Sequence, residues 1–276
     1  MIGKLSISNL PAIKFDGEYR VLGCIPSSDE SLFGFPMFGD QMGLAAAEWQ
    51  EIDMSWLNPP VLDQKATSAC TAFASNGGMH VCTLKTGKPL TEFNPFFTYG
   101  LINGGKDAGA MISQTLSELM ASGACPKEFL PAGLMYQNQF PPQAFENAKR
   151  FRLEKAFRCA TFEEICSAIS LGFVCPLGIL VGSNFPQLDS DGVAPLPNRG
   201  GGGHAILGVG LKKSQKYGWL IKILNSWSIR FGMKGYCYIH KGHFQFMRPD
   251  AFAIQTLIDD PLDKTSEDDV PVAKVA

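Results

Sequence analysis

The 276-residue chain lacks any run of about eighteen consecutive apolar residues, the least that a membrane-spanning helix needs, so no such helix and no membrane association are expected. Its first twenty residues, MIGKLSISNLPAIKFDGEYR, hold no apolar stretch long enough for a secretory signal core, which argues against export by that route. Basic residues are not in excess: 24 Lys and Arg against 26 Asp and Glu give a net charge of −2, with no basic cluster to meet nucleic acid. No CxxC pair occurs, so a structural zinc site has no support, and no metal or other cofactor is expected. The glycine run Gly200–Gly203 is not followed by Lys-Ser/Thr and so is not a phosphate loop.

What the chain does hold is 45% hydrophobic residues, enough for a sizeable core, and 8 cysteines without regular spacing, which read as free thiols and not as a disulfide framework. Residues 1–48 are rich in Gly, Pro and Ser with scattered Phe, which suggests an irregular arm that needs the main body to bury its aromatics. Helical spacing of Ala69, Phe73, Val81 and Leu84 predicts a helix that Gly87 and Pro89 end, with Thr67 or Ser68 as its N-cap. Asn76, Gly77 and Gly78 lie in its middle at a cost of about 1 kcal/mol per glycine, for which close packing of another backbone would compensate. Further helices are predicted over DAGAMISQTLSELMASG and TFEEICSAISLG, the latter with Thr161 as N-cap and Glu164 completing a capping box.

After Gly172 the pattern becomes short β-rich runs, FVCPLGILVG, HAILGVGL, GWLIKILNSW and GYCYIH, which predict an antiparallel sheet or partial barrel. Helices first and strands afterwards indicate an α+β fold with a helical lobe over 49–170 and a β lobe over 171–258. Residues 259–276 carry six acids and two lysines and read as a disordered tail.

Cys70 at a helix start would have its thiolate favoured by the helix macrodipole and by a neighbouring imidazolium. Of the four histidines, His80 lies ten residues along the same helix, roughly 15 Å away at 1.5 Å per residue, and cannot reach the thiol. His240 and His243 read as a solvated pair at a strand end. His204 remains, entering a strand behind glycines that leave backbone open to an extended peptide.

Three segments, in order, resemble papain-family cysteine peptidases: PPVLDQKATSACTAFAS, GHAILGVG, and ILNSWSIRFGMKGYCYI. The Asp107-x-Gly109 step and SGACPKEFLP resemble shorter members without a secretory prepro-region. The resemblance implies a papain-like two-lobed fold with the cleft between a helical lobe and an antiparallel, barrel-like β lobe. It implies Cys70 as nucleophile, His204 as proton shuttle, Asn225 as the residue orienting the imidazole, Gln64 as oxyanion donor and Trp227 as the shield of the His204–Asn225 bond. It further implies that Gly109, Ala110, Met111, Gly203 and Ala205 face a polypeptide or peptide substrate, with an apolar second subsite. Thr67 stands where family members often have a bridging cysteine, which fits a cytoplasmic or virion-associated protein. Thr71 and Phe231 replace the family's tryptophans, and Ser68 replaces a glycine near the oxyanion hole. Two further readings stay open: a weak or inactive structural or binding protein on the same fold, and a peptidase of cell-wall peptides or viral assembly proteins. Residues 1–48 are expected to tether an assembly partner, pack on the back of the lobes, or block the cleft as a prosegment.

Overall fold

Leu207 and Ile254 set the position of the predicted helix. In the computed structural model, which describes residues 10–198, 201–245 and 250–255, that helix spans Cys70–Lys85 and is buried from Cys70 to Thr83. A Cβ on Gly77 would stand 3.4 Å from Leu207 Cδ2, and one on Gly78 would stand 2.5 Å from Ile254 Cδ1. The two glycines thus let the helix lie down on side chains of the sheet, where the sequence suggested another backbone. Neither Thr67 nor Ser68 caps the helix: Ala69 is the N-cap and offers no side-chain bond.

Among the described residues nine strands form, β1 (Ala12–Phe15), β2 (Glu18–Val21), β3 (Ile52–Asp53), β4 (Ala156–Cys159), β5 (Cys175–Val181), β6 (Gly202–Ser214), β7 (Gly218–Leu224), β8 (Tyr236–His240) and β9 (Asp250–Ile254). Seven of them make one antiparallel sheet in the order β4-β9-β5-β6-β7-β8, with β3 also on β6. The fold is α+β as expected, but the sheet is open and closes into no barrel among the described residues. β4 pairs with β9, and, besides meeting the short helix Gly39–Met42, the helix Phe162–Ser170 lies against β4, β5, β6 and β9. Thr161 caps that helix by accepting from the Glu164 N–H, while the Glu164 carboxylate takes the Ala160 N–H at 2.5 Å. No described helix is long and apolar enough to cross a membrane. The acidic segment 259–276 lies outside the described residues.

The N-terminal segment is more ordered than its composition suggests. β1 and β2 form a hairpin through Asp16 and Gly17, both at positive φ (51° and 79°), the conformation that two-residue hairpin turns demand. Residues 22–27 leave the hairpin without regular secondary structure beyond a single bridge at Cys24. Residues 35–38 then pair with β4: Arg158 N–H donates to the Pro36 carbonyl, and Phe38 N–H to the Arg158 carbonyl, both at 2.8 Å. Phe38 is fully buried edge-on to Phe173 at 5.5 Å, and Phe35 packs on Phe252 at 4.9 Å. This stretch is part of the β-lobe core. Phe38→Ala should therefore cost about 3–5 kcal/mol in urea denaturation. Phe33→Ala, at a site 92% exposed, should stay within about 0.5 kcal/mol of wild type. Equal effects would mean that the segment is an appendage.

Candidate active site

Three loops meet at the start of the Cys70–Lys85 helix. The Gln64 N–H donates to the Ser226 carbonyl at 2.9 Å and the Ser228 N–H to the Leu62 carbonyl at 3.1 Å, so the glutamine turn and the Asn-Ser-Trp turn are sewn together across the lobes. The Gln64 side chain is held at both ends: Oε1 accepts from Ser226 Oγ at 2.7 Å, and Nε2 donates to the carbonyls of Thr67 (2.9 Å) and Val21 (3.2 Å). Gln64 is thereby aimed into the site, at present toward a carbonyl of the N-terminal segment.

His204 sits on β6, paired across to Ile179 of β5, and is fully buried. Its Nε2 lies 2.8 Å from Asn225 Oδ1, while Nδ1 has no hydrogen-bond partner. Asn225 follows β7 and is fixed by its N–H to the Gly235 carbonyl at 2.9 Å and by Oδ1 accepting the Ser226 N–H at 2.8 Å. The Trp227 ring covers the pair, its centroid 4.9 Å from that of His204. Phe185, Phe231 and Phe15 surround the indole at 5.5, 5.6 and 5.7 Å. The Cys70 sulfur lies against backbone N–H groups of Ala205, Gly23, Thr71 and Cys70 itself. The structure thus brings Cys70, His204, Asn225, Gln64 and Trp227 into one cluster.

The cluster is covered. Residues 22–25 run through the channel between Ala110 and Gly203: Ala110 N–H donates to the Gly23 carbonyl (2.9 Å), Ile25 N–H to the Ala110 carbonyl (3.0 Å), and Cys24 N–H to the Gly203 carbonyl (3.1 Å). Cys24 and Ala110 pair in parallel. Gly23 passes so close to Ser68 that any Cβ there would overlap the Ser68 carbonyl oxygen. Beyond the channel, Ser27 N–H and Oγ both donate to Asp250 Oδ2, at 3.0 and 3.1 Å. Gly109, at φ 83°, Ala110, Gly203 and Ala205 line this path. Met111 is the N-cap residue of the helix Ile112–Ala121, its N–H donating to Gln114 Oε1 at 3.3 Å and its carbonyl accepting from Thr115 Oγ1 at 3.0 Å. Within the described part of residues 1–48, Gly23–Ile25 lie between Ala110 and Gly203, Phe35 and Phe38 pack on the sheet, and Leu44 bonds to Ser167.

Burial reverses the protonation expected from the helix dipole. It pushes the Cys70 thiol up to about 11 against the lowering by the Ala205, Gly23 and Thr71 N–H groups. It pulls His204 down to about 4 against the support of Asn225. In this covered state both groups are neutral at neutral pH, and the thiolate–imidazolium pair is not formed. The other histidines hold no site. His80 accepts the Phe93 N–H at 2.7 Å and stacks on its ring, while His243 is buried where a solvated pair was expected and only His240 is half-exposed. Among the described residues no group of three or more His, Cys, Asp or Glu is arranged to hold a metal.

Sequence reading missed the hairpin, Gly23, Phe185 and Asp250. Only the hairpin had a local signal, Asp16-Gly17 between strand-like runs.

No protein-family model and no curated protein matches this chain. Solved structures do. The cysteine protease xylellain from Xylella fastidiosa superposes with a TM-score of 0.70 at 23% identity, over 86% of this chain and 96% of that one. Procathepsin B S9 from Trypanosoma congolense gives 0.66 at 13% identity over 86% of each chain. Bromelain from Ananas comosus, in complex with the E64 inhibitor, gives 0.55 at 17% identity over 75% and 99%. The fold is the papain-like one.

Protonation of buried histidines makes stability depend on pH. His80, His204 and His243 are each lowered from 6.5 to about 4 by burial. Unfolded chains take up these protons below pH 6.5 while the folded chain resists until near pH 4, so their contribution is complete above 6.5 and is lost as pH falls through that window. Scanning calorimetry should show Tm falling steadily from pH 6.5 to 4; a flat Tm there would rule this out.

Proposed function

We propose that this chain is a cysteine peptidase that hydrolyses peptide bonds through Cys70, His204, Asn225 and Gln64, and that residues 10–27 hold it latent. The observation that carries the reading is the His204–Asn225 hydrogen bond of 2.8 Å beneath Trp227, which leaves Nδ1 without a partner on the residue next to Ala205, whose N–H faces the Cys70 thiol.

Once the segment leaves, water reaches the thiol and imidazole, and the burial that keeps both neutral is relieved. His204 Nδ1 then takes the Cys70 proton, and the sulfur attacks the substrate carbonyl carbon. The negative oxygen is held by Gln64 Nε2 and the Cys70 N–H, so Gln64 exchanges the Val21 carbonyl for the oxyanion. The C–N bond breaks as His204 gives its proton to the leaving amine, leaving a thioester. Water, deprotonated by His204, attacks that thioester and frees the acid and the thiol. Asn225 keeps the ring in place throughout, and exclusion of water by Trp227 strengthens their bond.

The substrate is an extended polypeptide. Ala110 N–H and C=O and the Gly203 C=O are the groups that the segment 22–25 uses, and they become available to a peptide in its place. The covered, neutral site also suits the second reading, a binding protein on this fold, and Gly23 separates the two. In Gly23→Val the new side chain cannot pass the Ser68 carbonyl, so the segment should lift off. That variant should hydrolyse denatured protein and react with a thiol-directed epoxide at least about tenfold faster than wild type, a shift of about 1.4 kcal/mol in the closed–open balance. Cys70→Ala in the same background should abolish both without loss of fold. Failure of Gly23→Val to label at Cys70 under reducing conditions would favour the binding protein.

A further inference from the structure

Ser68 looks in the sequence like a poor replacement for a glycine, yet it is the centre of a buried polar knot. Its N–H donates to Asp107 Oδ1 at 3.0 Å, and its hydroxyl donates to the same oxygen in a short bond. Tyr99 O–H reaches that oxygen at 2.8 Å and lies 2.9 Å from Ser68 Oγ. Gly109 N–H donates to Ser68 Oγ at 2.9 Å and to Tyr99 Oη at 3.2 Å. Ser68 and Tyr99 are fully buried. One carboxylate oxygen thus gathers three donors and joins the turn two residues before Cys70 to the step that precedes Ala110.

We propose that Asp107 is a positioning residue that fixes the nucleophile turn and the peptide-pairing backbone at Gly109–Ala110 as one unit. None of the eight cysteines is paired, so no covalent bond makes this tie. Asp107 touches neither thiol nor peptide. It acts through Ser68, two residues before Cys70, and through Gly109, which sets where Ala110 presents its N–H and C=O. Bonds to an ionised carboxylate are about twice as strong as neutral ones, and loss of this one leaves the Ser68 N–H buried without a partner.

The inference rests on the peptidase reading for its kinetic arm and has a second arm that does not. In the otherwise unaltered chain, Asp107→Ala should loosen the segment at Ala110 and raise the rate of Cys70 alkylation by iodoacetamide about tenfold, whereas Asp107→Asn, which keeps an acceptor oxygen in place, should stay within about threefold of wild type. In the Gly23→Val background, Asp107→Ala should raise KM for an extended peptide by about tenfold with a smaller fall in kcat, and Asp107→Asn should recover most of the KM. If Gly23→Val hydrolyses nothing, the peptidase reading fails and the alkylation arm still decides the clamp. The proposal is overturned if Asp107→Ala leaves alkylation unchanged, if Asp107→Asn is as damaging as Asp107→Ala, or if kcat and KM change only in step with a lowered Tm, as for a merely structural residue.

Discussion

Two backbones touching over a thiol are the constraint on which this structure turns. Gly23 can lie on the Ser68 carbonyl only because it has no side chain, and from that contact the rest follows. The segment it belongs to finds its hydrogen bonds on Ala110 and Gly203, groups that lie on opposite walls of the channel. With the channel filled, Cys70 and His204 lose contact with water, and desolvation outweighs the favourable N–H groups around the sulfur. Gly23, the residue that makes the contact with Ser68, lies 47 positions before Cys70 in the chain.

The sheet supplies the rigidity. His204 is paired on β6 between β5 and β7, and Asn225 emerges where β7 ends, so the imidazole and the amide that orients it come from adjacent strands whose register is fixed by long ladders. The helix of Cys70 is laid on the same sheet through Gly77 and Gly78. Gln64 is bound to Ser226 by backbone and side chain alike. Each polar group in the cluster is held by an element that packing has already fixed, which costs less ordering entropy when the site forms.

Cys70, His204, Asn225, Gln64 and Trp227 were legible in the sequence because their chemistry restricts both residue type and order along the chain. The sheet was legible where strands alternate with turns, but β9 is buried at every residue and β4 spans four residues before a helix, so neither carries a periodic signal. Gly23 could not be read, since its importance comes wholly from Ser68, 45 residues on. The role of Ser68 is hidden for a related reason: a serine two residues before Cys70 is ambiguous until Asp107 and Tyr99 are seen to face it. The composition of residues 1–48 suggested irregularity, and only the Asp16-Gly17 step announced the hairpin. Local chemistry was visible, while contacts between distant backbones were not.

All eight cysteines are buried, the nucleophile among them. A molecule in this state presents no thiol to its surroundings, so electrophiles and mixed disulfides find no cysteine to modify. On the proposed reading, acquiring a reactive sulfur and acquiring a substrate groove would be a single event, the departure of residues 22–25, and the cover would then also act as a preservative of the Cys70 thiol.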